Sequence, residues 1–254
     1  MKLISYNVNG LRSALAKGLL PWLEEEHPDI FCLQELKAQP EQIPDEEFQR
    51  LGYYTYWHCA EKKGYSGVGL LTIREPDRVI KGIGNPEYDR EGRFMRADFG
   101  QISVISVYHP SGTTGEVRQE FKMQWLEFFL QYVNRLRDER PYLIISGDFN
   151  ICHKPIDIHD PIRNAHSSGF LPEEREWMDR FVASGFIDTF RVFNNQPHQY
   201  SWWSFRARAR EKNLGWRIDY HFVTENLKPK LRNAYLLPQI NHSDHCPVVL
   251  EIDF

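Results

Sequence analysis

Short apolar runs that end abruptly in polar side chains recur along this chain of 254 residues. The clearest run covers residues 143–146 and predicts a strand that is buried on both faces and ended by Gly147. Asp148 and Asn150 follow directly, and the two-residue period of a strand would send both side chains to the same side. Because Gly-Asp-x-Asn is also ordinary turn chemistry, this segment taken alone favours a simple turn.

The same plan, a strand followed by a polar group, recurs elsewhere. We predict strands within residues 2–10, 29–35, 53–59, 68–72, 94–99, 102–108, 215–223 and 248–252, with a hairpin turn at Gly100-Gln101. The groups that accompany them are Asn7, Asn9, Glu35, Tyr108, Asp219, and the adjacent pair Asp244 and His245. Each has a structural explanation when taken alone, such as a solvated strand end for Glu35 or a packing role for Tyr108.

Helical spacing of apolar residues fills the longer gaps between the strands. Residues 11–23 carry apolar side chains at helical intervals, with Pro21 as the expected break between two shorter helices. Residues 116–137 predict one long helix with a buried face, and another helix opens within residues 171–177. Since no Gly/Ser or Pro-rich linker interrupts this alternation, we predict a single α/β domain over residues 1–254.

Composition narrows the class of protein. A mean hydropathy of −0.55 and the lack of a long apolar run argue against a transmembrane helix. Residues 1–7 turn polar too early for a signal peptide, so we expect a cytoplasmic protein. The four cysteines have no Cys-x-x-Cys spacing, which indicates reduced thiols rather than a zinc site or a disulfide framework. The net charge of −4 argues against a protein that coats DNA through sheer positive charge, but it allows a local basic face.

Seven polar residues from separate strand-edge segments have the types that metal-assisted hydrolysis requires. They are Asn7, Glu35, Asp148, Asn150, Asp219, Asp244 and His245. Oxygen ligands without cysteine favour a hard cation such as Mg²⁺ or Mn²⁺, and such ions commonly act on phosphate esters. If these residues converge in space, the expected chemistry is phosphodiester hydrolysis.

Residues 200–210 combine a pair of tryptophans with cations that alternate with small residues. Such a segment suits a phosphate backbone and a flat group that stacks or wedges. A solvated loop beside aromatic core residues explains the same pattern equally well. The segment alone does not decide between the two interpretations.

Eight motifs occur together in this chain. They are Tyr-Asn-Val-Asn-Gly-Leu-Arg at residues 6–12, Leu-Gln-Glu-Leu-Lys at 33–37, Gly-Tyr-Ser-Gly-Val-Gly at 64–69, Asp-Arg-Glu-Gly-Arg at 89–93, Gly-Asp-Phe-Asn at 147–150, Gly-Phe-Leu-Pro at 169–172, Gly-Trp-Arg-Ile-Asp at 215–219 and Ser-Asp-His at 243–245. In this combination the chain resembles, over essentially its whole length, the exonuclease III-type AP endonucleases of the endonuclease/exonuclease/phosphatase superfamily. The resemblance implies a four-layered α/β sandwich, with two mixed β-sheets face to face and helices on the outside. It also implies a site at one edge, where loops from both sheets meet.

The resemblance further implies a role for each candidate residue. Mg²⁺, with Mn²⁺ as the alternative, is expected among Asn7, Asn9, Glu35, Asp148, Asn150, Asp244 and His245, with Glu35 as the main ligand. Asp148, oriented by Asn150, corresponds to the group that activates the attacking water. His245 corresponds to the donor to a phosphate oxygen and is held by Asp219. Tyr108 corresponds to a tyrosine that contacts the phosphate or assists the leaving oxygen.

Positions that match DNA contacts carry over from the same resemblance. Backbone or groove contacts match Arg12, Lys37, Tyr65, Arg93 and Asn164, while Trp202 and Trp216 match the walls of a pocket for an extrahelical, baseless deoxyribose. A baseless nucleotide has already lost its stacking, which lowers the cost of extruding it. The expected partner is double-stranded DNA that contains abasic sites. The expected protein is a monomer, associated with the nucleoid if it is bacterial.

The activity implied by the resemblance is Mg²⁺-dependent cleavage on the 5′ side of abasic sites, which leaves a 3′-hydroxyl, together with 3′–5′ exonuclease or 3′-end trimming activity. Because Trp216 would hinder an intact nucleotide, abasic cleavage is expected to be faster. The alternative is a non-catalytic nucleic-acid-binding regulator, since one bacterial branch of the family, the catabolite-repression control proteins, keeps the fold and loses the nuclease residues. The residues that distinguish the two are all present here, namely Glu35, Asp148, Asn150, Asp244 and His245. Their presence argues for catalysis.

Four positions depart from the common family pattern. His109 stands where an aliphatic residue is common, Ser111 where many members have Asn, Asn9 where some have Asp, and Cys246 where Ala is usual. The change at Ser111 affects one hydrogen bond expected to the phosphate, and the change at Asn9 affects the charge expected at the metal.

An acidic protein that binds DNA needs a polarised distribution of charge. We expect a set of cations at the metal edge, namely Arg12, Lys17, Lys37, Lys62, Lys63, Arg93, Arg206, Arg208 and Arg210. The acidic runs 24–26 and 173–174 are expected elsewhere. Binding should then weaken steeply as salt rises.

Overall fold

The structure, a computed structural model, describes residues 1–253 and contains two six-stranded sheets. The first sheet has the strand order β13 (Leu231–Leu236), β14 (Val248–Ile252), β1 (Lys2–Asn7), β2 (Ile30–Gln34), β4 (Val68–Thr72) and β3 (Tyr54–His58). The second has the order β5 (Arg78–Lys81), β6 (Phe94–Phe99), β7 (Ile102–Tyr108), β8 (Tyr142–Asp148), β12 (Asp219–Thr224) and β9 (Phe186–Asp188). A separate ribbon pairs β10 (Trp202–Trp203) with β11 (Gly215–Trp216).

Both sheets have the same pattern of pairing. Each contains one parallel pair at its centre, β1 with β2 and β7 with β8, and the neighbouring pairs are antiparallel. Parallel strands end at the same edge of a sheet. The ends of all four strands therefore lie at one edge of the molecule, where a side-chain hydrogen bond joins Asn7 of β1 to Asp148 of β8.

Helices cover the outer face of each sheet. The first sheet packs against α1 (Leu11–Ala16), α2 (Leu19–Glu26) and α3 (Asp45–Arg50). The second packs against α4 (Pro86–Asp89), α5 (Glu116–Glu139) and α6 (Pro172–Ala183), while α7 (Thr189–Phe193) lies beside β12 and β13. Single 3₁₀ turns occupy Pro40–Gln42, Pro155–Asp157, Arg206–Arg208 and Glu225–Lys230.

Three apolar layers hold this arrangement together. One lies between the sheets and includes Leu3, Ile144, Val223 and Leu250, all of which are buried. The other two lie between each sheet and its helices. The predicted four-layered α/β sandwich of two mixed sheets is thereby confirmed. Strands 68–72, 94–99, 102–108 and 248–252 also have the predicted bounds.

Two of the predicted ends of helices or strands lie at different residues in the structure. The interruption between α1 and α2 was assigned to Pro21, but the chain breaks at Gly18, whose positive φ of 96° ends α1. Pro21 lies in the first turn of α2, where its missing N–H leaves no hydrogen bond unmade. Similarly, Gly147 does not end its strand, since β8 continues to Asp148. A side chain at residue 147 would collide with the carbonyl of Val107, so this glycine permits close approach of β7.

Residues 215–223, predicted as one strand, are divided between two sheets. The chain leaves the β10–β11 ribbon at Arg217, whose side chain is 1% exposed and forms ion pairs with Asp157 and Asp188. It joins the second sheet two residues later, at Asp219. Strands β5, β9 and β13 and helices α3, α4 and α7 were not predicted.

No helix among residues 1–253 is both long enough and apolar enough to cross a membrane. The four cysteines are free thiols, and three of them, Cys32, Cys152 and Cys246, are buried. Burial raises the pKa of each of these three thiols.

Candidate active site

Asp148 lies at the edge where the two sheets meet. Its side chain is almost fully buried and accepts hydrogen bonds from Nδ2 of Asn7 at 2.8 Å and from the backbone N–H of Asn150 at 2.8 Å. Burial raises the pKa of the carboxyl group, the charge of Asp219 raises it further and His245 partly opposes both, which places the pKa at about 7. A carboxyl group with this pKa can take up a proton near neutral pH, as a general base must.

Asn150 reaches the same site by a different route from the one predicted. It does not continue the strand, because its φ is 51°, in the left-handed region. Its Nδ2 donates to the carbonyl of His109 at 2.9 Å and lies 3.4 Å from Oδ2 of Asp148. The carboxylate and the carboxamide therefore converge through a turn rather than through strand alternation.

His245 is buried beside two carboxylates. Its Nδ1 lies 2.9 Å from Oδ2 of Asp219, and its Nε2 lies 3.9 Å from Oδ2 of Asp148. Burial lowers the pKa of His245, but the charges of Asp219 and then Asp148 outweigh this effect and raise the pKa to about 10. Ser201 fixes Asp219 by donating its hydroxyl to Oδ2 at 2.6 Å. The imidazole is therefore held in one orientation with its Nε2 towards Asp148.

A second group of polar residues lines the same cavity as Asp148 and His245. Glu35 follows β2 with a positive φ of 59°, and its Oε1 lies 2.9 Å from Nζ of Lys37. Lys37 also donates to Oδ1 of Asn9, while Nδ2 of Asn9 donates to Oδ1 of Asp244 at 2.9 Å. The other oxygen of Asp244 accepts from Nε1 of Trp202 at 2.9 Å. These bonds link strand ends of the first sheet to the loop before β14.

The donor atoms at this edge suit a hard cation. Asp148, Asp219 and His245 each place one ligand atom within 4.8 Å of the others. Glu35 and Asp244 line the same cavity. Oδ1 of Asp219 is buried and has no hydrogen-bond partner among the described residues. Carboxylate oxygens are the donors that Mg²⁺ and Mn²⁺ prefer, so the residues present fit a divalent ion of this kind.

An open cavity of about 740 Å³ connects these groups. Trp202 and Trp216 line one side, with ring centroids 5.9 Å apart and ring planes at 85°. Residues 111–113 and 167–169 also line the cavity, and Gly169 lies against the ring of Trp216. The cavity therefore joins a polar, acidic floor to an aromatic wall.

Tyr108 lies at the end of β7 and lines this cavity. Burial and then the charge of Glu35 hold the pKa of its hydroxyl well above the usual value, so the group is neutral and can donate a hydrogen bond. The guanidinium of Arg93 lies over the ring, 4.7 Å from its centroid, and donates to the Tyr108 carbonyl at 3.1 Å.

The residues predicted to contact DNA fall into two groups. Arg12 is exposed, Lys37, Trp202 and Trp216 line the cavity, and Tyr65 is half-buried nearby. Asn164 is half-buried, and its side-chain amide donates hydrogen bonds to the carbonyls of His159 and Asp160 within its own loop. Arg93 does not fit a direct contact, because its side chain is 2% exposed and binds Glu91 and the hydroxyl of Tyr65. Its position is that of a support for Tyr65 and Tyr108.

The basic segment after Trp203 is also mixed. Arg206 and Arg208 are exposed, whereas Arg210 donates to the carbonyls of Pro238, Ile240 and Ser243. The guanidinium of Arg210 is therefore occupied by the loop that carries Asp244 and His245, which leaves it fewer donors for a phosphate than Arg206 or Arg208 has. The acidic run 173–174 was expected away from the metal edge, but Glu174 is fully buried and accepts the backbone N–H of Gly169, which lines the cavity.

Sequence reasoning missed several supporting residues. The hydroxyl of Tyr65 accepts from Arg118 as well as Arg93, and Glu91 pairs with both arginines. Lys122 and Glu174 form an ion pair in the interior. Lys122 carried a detectable signal, because it falls on the apolar stripe of α5 that includes Trp125 and Phe129.

Comparison with known proteins gives consistent matches. Residues 4–245 match the model of the Endonuclease/Exonuclease/phosphatase family. An exodeoxyribonuclease of Bacillus subtilis (strain 168) is 45% identical over 255 residues, with 100% of both chains covered. A DNA-(apurinic or apyrimidinic site) endonuclease of Dictyostelium discoideum is 35% identical over 257 residues, with 100% of this chain and 71% of that protein covered.

Solved structures agree with these matches. An AP endonuclease from Archaeoglobus fulgidus has a TM-score of 0.92 at 31% identity, and a 3′-5′ exonuclease from Neisseria meningitidis has a TM-score of 0.92 at 28% identity. Each comparison covers 100% of both chains. The chain belongs to the endonuclease/exonuclease/phosphatase family.

Proposed function

We propose that this chain is a metal-dependent DNA repair nuclease that hydrolyses the phosphodiester bond on the 5′ side of an abasic site and leaves a 3′-hydroxyl. The observation that carries the proposal is a buried carboxylate, Asp148, that faces His245 beside a cavity walled by Trp202 and Trp216. The names of the relatives, an exodeoxyribonuclease and an AP endonuclease, support DNA as the substrate. A 3′–5′ exonuclease or 3′-end trimming activity would use the same groups.

Mg²⁺ is the proposed cofactor, with Mn²⁺ as the alternative. The residues proposed to hold it are Glu35, as the main ligand, with Asn7, Asn9, Asp148, Asn150 and Asp244. His245 was also expected among the ligands, but its ring is protonated near neutral pH and has no free lone pair for a cation, so its proposed role is on the phosphate. When bound, such an ion supplies electrostatic stabilisation for the charge on the phosphate. Three of these six residues offer carboxamide groups, so Glu35, Asp148 and Asp244 supply the negative charge among the proposed ligands.

Asp148 has the properties of the group that takes a proton from the attacking water. Its pKa is raised to about 7 by burial and by Asp219, so the carboxylate is a stronger base than an exposed aspartate. Hydrogen bonds from Asn7 and from the backbone of Asn150 fix both of its oxygens. A fixed base avoids the cost of ordering it when the water attacks.

His245 and Tyr108 are proposed to act on the phosphate. The pKa of His245 is raised to about 10 by Asp219 and Asp148 despite burial, so its ring is protonated near neutral pH and can donate to a phosphate oxygen. Asp219 is a positioning residue for that ring. Tyr108 is neutral and can donate its hydroxyl hydrogen to the phosphate or to the leaving oxygen.

The aromatic wall is proposed to select the sugar. A baseless deoxyribose can enter the cavity beside Trp202 and Trp216 without first being unstacked, whereas an intact nucleotide must be unstacked and is also hindered by the indole ring of Trp216. Abasic cleavage is therefore proposed to be faster than exonuclease action. Ser111 lines the same cavity, and its hydroxyl lies 3.0 Å from that of Thr113. We further propose that the protein acts as a monomer in the cytoplasm.

A duplex oligonucleotide with one tetrahydrofuran abasic analogue tests the proposed function. We expect nanomolar protein with Mg²⁺ to make one nick on the 5′ side of the analogue and to leave a 3′ end that a polymerase can extend. Chelation with EDTA should abolish the nick. Failure of the wild-type protein to nick this duplex in Mg²⁺ or Mn²⁺ would refute the proposal.

Variants of the ligand and the base provide the control for non-specific cutting. Glu35→Ala and Asp148→Asn should each reduce the nicking rate by about 10²-fold or more, while the affinity for the duplex in Ca²⁺ persists. A duplex without the analogue controls for general endonuclease activity. Strong binding without cutting by the wild type would instead favour the non-catalytic regulator.

A further inference from the structure

Lys122 and Glu174 form an ion pair that is fully buried between α5 and α6. We propose that this pair is a positioning element that ties Asn150 to the residues behind Trp216, and that it thereby sets the preference for a baseless sugar over an intact nucleotide. The proposal rests on the nuclease function proposed above. Neither side chain lines the cavity, so both are positioning residues rather than catalytic ones.

The first link runs from the ion pair to the catalytic turn. Nζ of Lys122 donates to Oε1 of Glu174 at 2.5 Å and to the carbonyl oxygen of Asn150 at 2.9 Å. The N–H of Asn150 donates to Asp148. Asn150 is thus held from one side by the ion pair and from the other by the proposed base. A shift of Lys122 must move the turn on which Asp148 and Asn150 depend.

The second link runs from the ion pair to the aromatic wall. Oε2 of Glu174 accepts the backbone N–H groups of Gly169 at 2.6 Å and Leu171 at 2.9 Å. Gly169 lies against Trp216, since a Cβ atom there would lie 2.8 Å from Cζ3 of that ring and 3.2 Å from the carbonyl oxygen of Asn150. The backbone at Gly169 is therefore the contact at which the pocket wall and the catalytic turn meet. Glu174 holds it there.

A third link reaches the rim of the cavity. Nε2 of Gln119 donates to Glu174 at 3.0 Å, and Oε1 of Gln119 accepts the hydroxyl of Ser168 at 2.8 Å. Gln119 also packs against Gly112, where any Cβ atom would overlap its Oε1. Ser168 and Gly112 both line the cavity. The carboxylate of Glu174 thus binds Lys122, which holds the turn at Asn150, the backbone of Gly169 beside Trp216, and Gln119 at the edge of the cavity.

Stability alone does not account for a charged pair at this place. The two helices already pack through large apolar residues such as Trp177 and Phe129. Replacing a buried ion pair by uncharged groups of similar volume is often neutral for stability. Hydrogen bonds are directional, whereas apolar contact is not, so the pair adds a defined geometry to a contact that exists without it.

The double variant Lys122→Met/Glu174→Gln tests the proposal. Met keeps the apolar stem and Gln keeps the shape, so no uncompensated charge is left in the interior. The readout is the ratio of two rates from one preparation: single-turnover nicking of an abasic duplex, and degradation of a matched recessed 3′ end. This ratio does not depend on the folded fraction. We expect it to fall about fivefold or more relative to wild type, because small displacements of catalytic groups carry large rate penalties.

A second ion pair between α5 and α6 offers a matched control. Arg180 and Glu127 lie 2.9 Å apart, are about half exposed and do not line the cavity. Arg180→Met/Glu127→Gln removes the same charges from the same helices and should keep the wild-type ratio. If Lys122→Met/Glu174→Gln also keeps that ratio, the buried pair is only structural and the inference is wrong.

Two further outcomes are decisive. Should the buried double variant fail to fold, Gln119→Leu answers the same question, because it removes only the link to Ser168 and Glu174 from a half-buried position. Its ratio should also fall, by about twofold or more, and an unchanged ratio overturns the proposal. A wild-type protein that does not nick the abasic duplex refutes the proposed function and this inference with it, whereas an unchanged ratio in an active variant refutes the inference alone.

Discussion

The buried histidine His221 predicts how the stability of this protein depends on pH. It lies on β12 between the two sheets and is 3% exposed. Its Nε2 lies 2.9 Å from the carbonyl of Val248, which can only accept, so Nε2 carries the hydrogen. Its Nδ1, 2.7 Å from the hydroxyl of Ser146, is then the acceptor. The neutral ring satisfies both nitrogens, and a second proton would turn Nδ1 into a donor, so that Ser146 would have to accept this hydrogen bond instead of donating it.

The size of the effect follows from the shift in pKa. Burial lowers the pKa of His221 from 6.5 to about 4, although the Val248 carbonyl favours the charged ring. Because the folded pKa lies below the unfolded one, the unfolded chain takes up the proton first as the pH falls. The contribution to stability is complete above pH 6.5 and is lost as the pH falls towards 4. At about 1.4 kcal/mol per pKa unit, His221 alone removes about 2 kcal/mol of unfolding free energy between pH 7 and pH 5.

Urea unfolding at pH 7 and pH 5 measures this difference. His221→Gln should be less stable than wild type at pH 7, but its loss of stability between the two pH values should be smaller by about 2 kcal/mol. His166→Gln is the matched control, because it removes an imidazole from an exposed position and should follow the wild type. The comparison with wild type cancels the contributions of the other buried histidines. Equal losses in all three proteins would refute the assignment of a buried, neutral His221.

Four further predictions concern the site and its surroundings. Asp219→Asn should lower the nicking rate about 10–100-fold with little change in duplex affinity, because it releases the ring of His245. Single-turnover kinetics measure the rate, and equilibrium binding measures the affinity. Trp216→Ser should raise degradation of matched 3′ ends relative to abasic nicking by roughly tenfold, and equal changes in both rates would contradict its role as a wall. Arg210→Ala should lower the unfolding free energy by about 2 kcal/mol and leave the salt dependence of DNA binding unchanged, since its donors bind loop carbonyls. Arg208 is exposed, so Arg208→Ala should leave the unfolding free energy nearly unchanged. It should instead flatten the slope of log K for DNA binding against log salt in Ca²⁺ by about 0.9.

Local patterns predicted most of the strands, because a strand buried on both faces leaves a continuous apolar run. The strand β4 has the predicted bounds for this reason, and the hairpin of β6 and β7 was predicted from the turn at Gly100-Gln101 between two strand-like segments. Short edge strands such as β5, with exposed ends and few apolar residues, carry no comparable signal. Local sequence patterns also could not predict the order of the strands in each sheet. Pairing of β12 with β8 joins residues more than seventy positions apart, and no periodicity records such contacts.

The candidate site was predicted by residue type but not by geometry. Strand ends marked Glu35 and Asp148, and both line the cavity. The roles of Arg93 and Arg210 could not be read in the same way, because a buried arginine and an exposed one look alike in a sequence. Only the carbonyls and carboxylates that they bind distinguish them, and those groups come from distant segments. Lys122 is the exception, since its register on α5 placed a charge within an apolar stripe.

A row of polar side chains between the sheets connects the fold to the chemistry. Ser5 donates to Gln34 at 3.2 Å within the first sheet, and Gln34 donates across to Ser106 of the second at 3.2 Å. At the edge of the same interface, Asn7 donates across to Asp148. Apolar contact alone would allow one sheet to slide over the other, because burial of apolar area has no direction. Hydrogen bonds between buried groups do not allow this, because an unpaired group costs about 1–3 kcal/mol. The alignment of the two sheets is therefore set by the same kind of bond that fixes the proposed base, and the site depends on a register that the sandwich as a whole maintains.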